Sequence, residues 1–323
     1  GLVVVYVVLA LGIVALAQRL VRAFHTARSA VTALVVVTLI GSMLLTNDTA
    51  LLTFLPLSWF VLKGTGQTKH TALTFILQNC AANLGGMLTP FGNPQNLYLY
   101  TKFCIPNSEF LQIMAPPFLV SVALITVCCF LFVRAEPMTV EDAEIRLDPV
   151  RTVLYLALFA LSIAIVFRGI PYWIGLIVIP AVLAFADRRA LHSVDYPLLL
   201  TFVFFFIFAG NMARIEGVKA LFSGLLSKNT LLFSALSCQC ISNVPSAILL
   251  SQFTGNYAEL LAGVNIGGVG TLIASLASLI TFREYGKHNP KKIRGYLLEF
   301  SAFNFGFLIV LLGFMEALYS LRA

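Results

Sequence analysis

The sequence Leu44-Leu45-Thr46-Asn47-Asp48-Thr49-Ala50-Leu51-Leu52 sets four consecutive polar residues inside an apolar stretch. A second polar run, Ser242-Asn243-Val244-Pro245-Ser246, interrupts apolar sequence in the other half of the chain. Polar and ionisable groups at membrane depth are costly without partners, so their presence there indicates a function. Two such runs, one in each half, predict a solute site.

Composition indicates an integral membrane protein with many spans. Of the 323 residues, 59% are hydrophobic and 11% are charged, and that charged fraction is about half of what soluble domains carry. The net charge of +7 comes from bases in short loops beside apolar segments, where the positive-inside rule accounts for them. We therefore expect a lipid bilayer around the protein and no nucleic-acid partner.

The apolar blocks predict helices, several of which are too short to cross a bilayer alone. A spanning helix needs about 20 residues to cross about 30 Å of hydrocarbon. The block at 50–62 is shorter, so we interpret it as one arm of a re-entrant hairpin with its tip at Thr46 to Thr49. The blocks at 229–241 and 246–253 predict a second hairpin around Ser242 to Ser246.

The distribution of basic residues gives each loop a side. With both hairpins re-entrant, 15 of the 21 Lys and Arg residues fall in cytoplasmic loops, as the positive-inside rule requires. The external segments hold Lys102, Arg168, Arg214, Lys219, Lys228 and Arg322. We interpret the stretch from Arg214 to Lys228 as an interfacial amphipathic segment whose basic side chains reach headgroups.

The order of these blocks predicts an all-α polytopic membrane protein with inverted repeats, each containing a re-entrant helical hairpin and a broken transmembrane helix. The predicted domains are a first repeat at 1–133, a cytoplasmic linker at 134–151 and a second repeat at 152–323. Residues 152–187 add two helices that the first copy lacks, so we expect either further residues before Gly1 or a shorter N-terminal half. Inverted repeats with broken helices are typical of secondary transporters.

The interrupted spans carry the next chemical signal. The stretch from Asn83 to Asn96 contains two prolines and three glycines, which open the backbone and free amides and carbonyls for bound ions or substrate. The second copy has Asn265-Ile266-Gly267-Gly268-Val269-Gly270 and then Ala274-Ser275-Leu276-Ala277-Ser278, so it keeps glycine and small hydroxyl residues without proline.

Four stretches together resemble the ion transporter superfamily. They are Thr46-Asn47-Asp48, Leu88-Thr89-Pro90-Phe91-Gly92-Asn93-Pro94-Gln95-Asn96, Ile241-Ser242-Asn243-Val244-Pro245-Ser246 and Val264-Asn265-Ile266-Gly267-Gly268. That group includes divalent anion/sodium symporters, citrate transporters, the arsenite pump membrane subunit and D-type sodium/proton antiporters. The sequence most resembles its small permease branch with Gly-Asn-Pro-Gln-Asn in the first break. The resemblance implies a homodimer with an elevator-like moving domain, and we expect a multi-pass protein of the cell membrane, the inner membrane of a prokaryote.

The resemblance also implies which residues form the site. In the dicarboxylate symporters each hairpin tip carries Ser-Asn-Thr, whose side chains contact substrate carboxylate while carbonyls of the tips and broken helices hold sodium. Here Asp48 replaces a neutral residue and Val244-Pro245 replaces the threonine. The candidate substrate contacts are Asn47, Thr49, Asn96, Ser242, Asn243, Ser246, Ser275 and Ser278. The candidate ion contacts, with Na+ as the metal, are Thr46, Asn47, Asp48, Thr89, Gly92, Asn93, Asn243, Asn265 and Gly268.

Several of these residues have a second interpretation. Asp48 can bind a cation or accept a proton, or it can be the N-cap of an arm beginning at Ala50. Asn93 and Asn96 can bind an ion or form a turn beside Pro94.

The predicted helix starts are themselves candidate anion contacts. Helices starting at Thr49, Asn96 and Ser246 are expected to direct free amides and positive dipole ends at an anion.

Three function classes follow. The first is Na+-coupled or H+-coupled symport of a small anion, such as a di- or tricarboxylate, by an elevator-like alternating-access mechanism. The second is a cation/proton antiporter or an arsenite-type metalloid exporter that uses Asp48. The third is a channel or a membrane enzyme. Because we find no nucleophile, metal or acid/base constellation, we expect no enzymatic activity and no cofactor beyond the coupling ion, Na+ or H+.

Overall fold

Apolar blocks separated by polar breaks fold into thirteen α-helices over the part of the chain that the structure describes. This structure is a computed structural model, and it describes residues 26–137, 157–158, 161, 164–165, 170–186 and 196–321. The helices are α1 (Ala27–Leu44), α2 (Asn47–Gly64), α3 (Thr71–Gly85), α4 (Pro94–Lys102), α5 (Asn107–Phe132), α6 (Tyr172–Ala186), α7 (Tyr196–Met212), α8 (Glu216–Leu226), α9 (Thr230–Ile241), α10 (Asn243–Leu250), α11 (Tyr257–Ile266), α12 (Leu276–His288) and α13 (Ile293–Ser320). The predicted span at 1–18, most of the one at 152–167 and residues 138–151 of the predicted linker at 134–151 lie outside the described residues.

Three of the described helical segments are long and apolar enough to cross a membrane, namely Ala27–Leu44, Asn107–Phe132 and Pro290–Ser320. Large apolar side chains on α5 and α13, among them Leu119, Leu131, Leu298 and Ile309, point outward and are more than half exposed. Many polar side chains are buried inside instead. This is the arrangement that a lipid solvent requires, so the chain is an all-α multi-pass membrane protein.

The first predicted hairpin is an antiparallel pair formed by α1 and α2. A capping box between Thr26 and Ser29 starts α1, and the chain turns at Leu45 and Thr46 before α2 begins. Because α2 starts at Asn47 and takes in polar residues at both ends, it has 18 residues and is about 27 Å long. The predicted arm at 50–62 was therefore too short, and length is not the reason to interpret this pair as re-entrant.

The two ends of this hairpin meet at one end of the molecule. The Ala27 amide donates to the Glu136 carbonyl at 2.7 Å, Lys69 pairs with the Glu136 carboxylate, and Arg28 Nε donates to the Val133 carbonyl at 2.8 Å. The hydrogen bond from Lys69 lowers the pKa of the Glu136 carboxyl. The start of α1, the loop after α2 and the end of α5 thus lie together at one end of the molecule. The distribution of basic residues predicts that this end is cytoplasmic.

The second hairpin matches its predicted first arm closely, and its second arm begins and ends three residues before the prediction of 246–253. Helices α9 and α10 have 12 and 8 residues, and the chain reverses at Ser242, whose φ is 71°. Before it, α8 is a separate, mostly exposed helix with Lys219 on its surface. This helix occupies the position of the predicted amphipathic stretch.

Helix α3 lies at the centre of the described bundle. It packs against α1, α2, α5, α12 and α13, and all but two of its residues are buried. Its apolar side chains enter two cores: Leu77 joins the largest one, and Phe75 packs with residues of α2, α12 and α13. Its polar side chains Gln78, Asn79 and Asn83 are also completely or almost completely buried, so they find partners inside the protein.

In each broken helix, the segment after the break packs against helices of the other half of the chain. Helix α4, which follows the first break, packs against α10 and α11 of the second half. Helix α12, which follows the second break, packs against α2 and α3 of the first half. This reciprocal packing brings both breaks and both hairpin tips to the same level of the bundle.

Each broken helix approaches its hairpin through one glycine. A Cβ at Gly85 would lie 2.5 Å from Ser42 Oγ and 2.7 Å from the Leu39 carbonyl oxygen. A Cβ at Gly267 would lie 2.8 Å from Ala235 Cα and 2.9 Å from its carbonyl oxygen. Both contacts involve backbone, which cannot move aside as a flexible side chain can. The close packing of α3 on α1, and of α11 on α9, therefore needs glycine.

We predict that Gly85→Ala and Gly267→Ala each destabilise the protein by about 1–3 kcal/mol, the usual cost of overpacking. The measurement is the apparent melting temperature in detergent, which should fall for both variants. Gly295→Ala is the matched control, since no atom lies within 4 Å of its added Cβ and alanine favours a helix. Equal melting temperatures for all three variants and the wild type would contradict this packing.

Candidate functional site

The two breaks correspond residue by residue. Asn83-Leu84-Gly85-Gly86 ends α3, and Asn265-Ile266-Gly267-Gly268 ends α11 and enters the second break. In both copies the residue that precedes the next helix, Asn93 or Ser275, follows seven positions after the second glycine. Thr89 and Thr271 also occupy equivalent positions after Gly86 and Gly268. In the tips, Asn47 corresponds to Asn243.

Matching hydrogen bonds accompany this matching sequence. Thr89 Oγ1 donates to the Met43 carbonyl at 2.7 Å, and Thr271 Oγ1 donates to the Gln239 carbonyl at 3.1 Å. Met43 and Gln239 each lie three residues before the polar run of their hairpin. Each break is therefore tied to the first arm of its own hairpin in the same way.

The first tip is the start of α2. The Asn47 amide donates to the Gly92 carbonyl at 3.2 Å, and its side-chain Nδ2 donates to Asn83 Oδ1 at 3.1 Å. Asn47 Oδ1 accepts from the Asp48 amide at 2.9 Å, and the hydroxyls of Thr46 and Thr49 are 2.8 Å apart. The tip is thus fixed to the first break by backbone and by side chain.

The structure changes two expectations about helix starts. Helices α2, α4 and α10 begin at Asn47, Pro94 and Asn243, earlier than the predicted starts at Thr49, Asn96 and Ser246, because the polar runs are themselves helical. Asp48 is consequently in the first turn of α2 and is not the N-cap, a position that Thr46 occupies. A carboxylate in the first turn still interacts favourably with the helix dipole.

The second tip repeats this geometry with different side chains. Asn243 Oδ1 accepts from the Val244 amide at 2.9 Å, as Asn47 Oδ1 does from Asp48. The Ser242 hydroxyl donates to the Ala274 carbonyl at 3.3 Å. A Cβ at Gly268 would come within 3.0 Å of Asn243 Nδ2 and 3.6 Å of Asn83 Oδ1. The glycine at 268 therefore lies between an amide of one tip and the asparagine that holds the other.

Amide side chains satisfy the carbonyls that the breaks release. In the first break, Asn96 Nδ2 donates to the carbonyls of Gly86, Met87 and Thr89 at 3.1, 3.2 and 3.0 Å. In the second break, Gln239 Nε2 donates to the carbonyls of Gly267 and Val269 at 2.9 and 3.1 Å. Without these donors the freed carbonyls would be buried and unpaired, which is costly in a water-poor interior.

Asparagine and glutamine side chains also join the two breaks. Asn265 Nδ2 donates to Asn96 Oδ1 at 2.6 Å, and Asn265 Oδ1 accepts from Asn93 Nδ2 at 3.1 Å and from Gln95 Nε2 at 3.2 Å. All four side chains are at most 1% exposed. Asn79 extends this network toward α12 and α13 by accepting from Ser278 at 3.4 Å and donating to Asn304 at 3.0 Å.

Three side-chain oxygens at the first tip and the first break lack a hydrogen-bond partner among the described residues. They are Asp48 Oδ1, Asn93 Oδ1 and Gln95 Oε1, and each of these atoms is buried. The corresponding positions in the second half are Val244, Ser275 and Ala277. Among the described residues of the two tips and the two breaks, the unpartnered oxygens therefore belong to the first half.

A pocket of about 190 Å³ lies between the two tips. Of the residues predicted to contact substrate or ion, it exposes Asn47, Asp48, Ser242 and Asn243. Its other lining residues come from α4, α7, the second tip, the second break and α12: Pro94, Gln95, Thr201, Phe205, Val244, Pro245, Ile273, Leu276 and Leu279. Both tips thus face one cavity.

The remaining predicted residues surround this pocket without lining it. Five candidate substrate contacts hydrogen-bond inside the protein: Thr49 to Thr46, Asn96 to the first break, Ser246 to Ser237, and Ser275 to Ser278. The candidate ion contacts Thr89, Gly92, Asn93, Asn265 and Gly268 form the walls of the two breaks.

Sequence reasoning missed Asn83, Gln95 and Gln239. Asn83 holds the first tip, Gln95 lines the pocket, and Gln239 supports the second break. The signal for Asn83 was its place in the motif that recurs at Asn265. Gln95 stood within the Gly-Asn-Pro-Gln-Asn stretch.

A multi-pass helical bundle with two polar tips and two broken helices around one pocket defines a membrane transporter. A family model described as citrate transporter matches residues 2–263, and the chain belongs to that family.

Two relatives support this assignment. An uncharacterized transporter of Methanocaldococcus jannaschii is 35% identical over 257 residues, which cover 78% of this chain and 69% of the relative. The inner membrane protein YbiR of Escherichia coli is 33% identical over 275 residues, which cover 83% of this chain and 73% of YbiR.

We predict that Asn96→Leu lowers the apparent melting temperature because it removes the donor to three carbonyls of the first break. Each buried carbonyl left unpaired costs about 1–3 kcal/mol. Gln252→Leu is the control, since Gln252 is exposed and its bond to the Ile248 carbonyl is long, at 3.4 Å. A melting temperature for Asn96→Leu equal to that of the control would show that the break does not depend on this side chain.

Proposed function

We propose that this chain is a secondary active transporter that moves a small carboxylate anion with Na+ or H+, with citrate as the first substrate to test. The observation that carries the proposal is a pocket lined by both tips, by Asn47 and Asp48 of one and by Ser242 and Asn243 of the other. A site shared by two halves of a bundle can be opened to either side by moving one part against the other, which is the basis of alternating access.

The two tips differ in chemistry, and we assign them different roles. The second tip offers the hydroxyl of Ser242 and the amide of Asn243 and has no acid, which suits a carboxylate. The first tip has Asp48, and the unpartnered side-chain oxygens of Asn93 and Gln95 lie in the same half of the chain, where the first break ends and α4 begins. Buried oxygens without donors suit a cation, which broken-helix transporters hold with such groups.

The same proposal includes the symmetry of the molecule. The matched breaks and the reciprocal packing of α4 and α12 support two inverted repeats, with both hairpins re-entrant and the Lys69 end in the cytoplasm. An elevator-like motion and a homodimer in the inner membrane of a prokaryote are further parts of this proposal.

The test is uptake of labelled citrate and succinate into proteoliposomes under an inward Na+ gradient and, separately, an inward H+ gradient. We expect one gradient to drive accumulation of a carboxylate above its equilibrium level. Accumulation that is equal with and without either gradient would overturn the coupling, and no uptake of any carboxylate would overturn the substrate class.

We predict that Asp48→Asn reduces gradient-driven accumulation by at least about tenfold, because the loss of a charged ion contact worth more than about 1.4 kcal/mol weakens cation binding by that factor. Exchange of internal for external anion without a gradient should persist. Glu299→Gln is the control, as Glu299 lies on α13 and is exposed. Unchanged coupling in Asp48→Asn would remove Asp48 from the cation site.

Cation/proton antiport is the second candidate, because Asp48 Oδ1 has no hydrogen-bond partner among the described residues. It predicts that an imposed Na+ gradient moves protons in the absence of any organic anion. Asp48→Asn would then abolish proton movement, and carboxylates would have no effect on it.

A further inference from the structure

A second cavity adjoins the pocket between the tips. It has a volume of about 460 Å³ and is lined by residues of α4, α7 and α10. Pro94 and Val244 line both cavities, so the two are neighbours that share a wall. The second cavity extends from the tips along α4 to Thr101 and Lys102, the last residues of that helix.

Polar groups gather at the far end of this second cavity. Lys102 Nζ donates to Ser251 Oγ at 2.9 Å, and the Tyr98 hydroxyl lies 2.9 Å from the same Ser251 oxygen. The ammonium is also 5.8 Å from the ring centroids of Tyr98 and Phe103. Apolar residues, including Leu97, Phe206 and Ile248, line the rest. The lysine is thereby held at the far end of a mostly apolar cavity.

Lys102 is the only cationic side chain among the described residues that line either cavity. It stands at the end of α4, about 12 Å along the helix from Pro94 at 1.5 Å per residue. A cation at the mouth of a cleft with low-dielectric walls raises the local concentration of anions and their rate of association. The pocket between the tips is lined by an acid and by no base among the described residues, so Lys102 is the positive charge that the two linings offer an approaching anion.

We propose that Lys102 is the recruiting residue for the transported anion, and that the cavity between Lys102 and the tips is the passage by which the anion reaches the pocket. This inference rests on the anion transport proposed above. Lys102 holds the carboxylate transiently, and the helix start at Pro94 and the tip residues receive it. Lys102 favours solutes with a negative charge over neutral ones, and it takes no part in the coupling to a cation.

The test compares initial rates of citrate uptake by wild type and Lys102→Gln in proteoliposomes of pure phosphatidylcholine. We expect the KM for citrate to rise by about tenfold, the low end of the range that electrostatic steering produces, with kcat and the coupling ion unchanged. Raising ionic strength should raise the KM of the wild type and leave that of Lys102→Gln nearly constant, because salt screens exposed charges.

Three further variants separate recruitment from other roles. Lys102→Arg keeps the charge and should keep the wild-type KM. Ser251→Ala removes the hydrogen-bond partner of Lys102 but leaves its charge, so it should also keep a low KM. Lys219→Gln on α8 removes a surface cation that lines neither cavity and should have no effect.

Each contrary outcome has a distinct meaning. An unchanged KM in Lys102→Gln, or an equal rise in Ser251→Ala, would overturn the recruiting role while leaving carboxylate transport intact. A difference that appears only when anionic lipid is added to the vesicles would assign the cavity to a lipid headgroup and overturn the proposal. Absence of carboxylate uptake by the wild type would instead be the failure of the proposed function.

Discussion

Everything in this site depends on backbone groups that two broken helices release inside a membrane protein. Lipid offers no hydrogen bonds, so each freed amide and carbonyl needs a partner from the protein or from a bound solute. Asn96 supplies that partner in the first break and Gln239 in the second. The breaks can therefore stay open, and the tips at Asn47 and Asn243 can lie against them.

The same network of amide side chains joins the two halves of the chain. Asn265 of the second half bonds to Asn93, Gln95 and Asn96 of the first half, so neither break is independent of the other. The two halves have similar backbones but different side chains, because Val244 occupies in the second tip the position that Asp48 occupies in the first. That asymmetry is the basis of the different roles that we propose for the two tips.

The sequence predicted most of this architecture, and its errors have physical causes. Hydropathy located the hairpins and the broken helices, since the cost of polar groups in lipid confines them to functional breaks. It misjudged α2, because Asn47 and Asp48 are polar and yet helical, so an apolar block understates the length of the helix. Residue type singled out Asn93 and Asn265, which the structure places in the walls of the two breaks, hydrogen-bonded to each other. It did not show that Asn96, Ser275 and Ser278 turn inward, since that depends on which carbonyls lie nearby.

The most direct measurement is a cryo-electron microscopy map of the protein in lipid nanodiscs with citrate and Na+ present. The account predicts anion density that touches Ser242 or Asn243 and lies in the pocket shared with Asn47. It predicts a separate, compact density beside Asp48, Asn93 or Gln95 if Na+ is the coupling ion. Citrate density outside the pocket between the tips, with that pocket empty, would contradict the claim that both halves form one site.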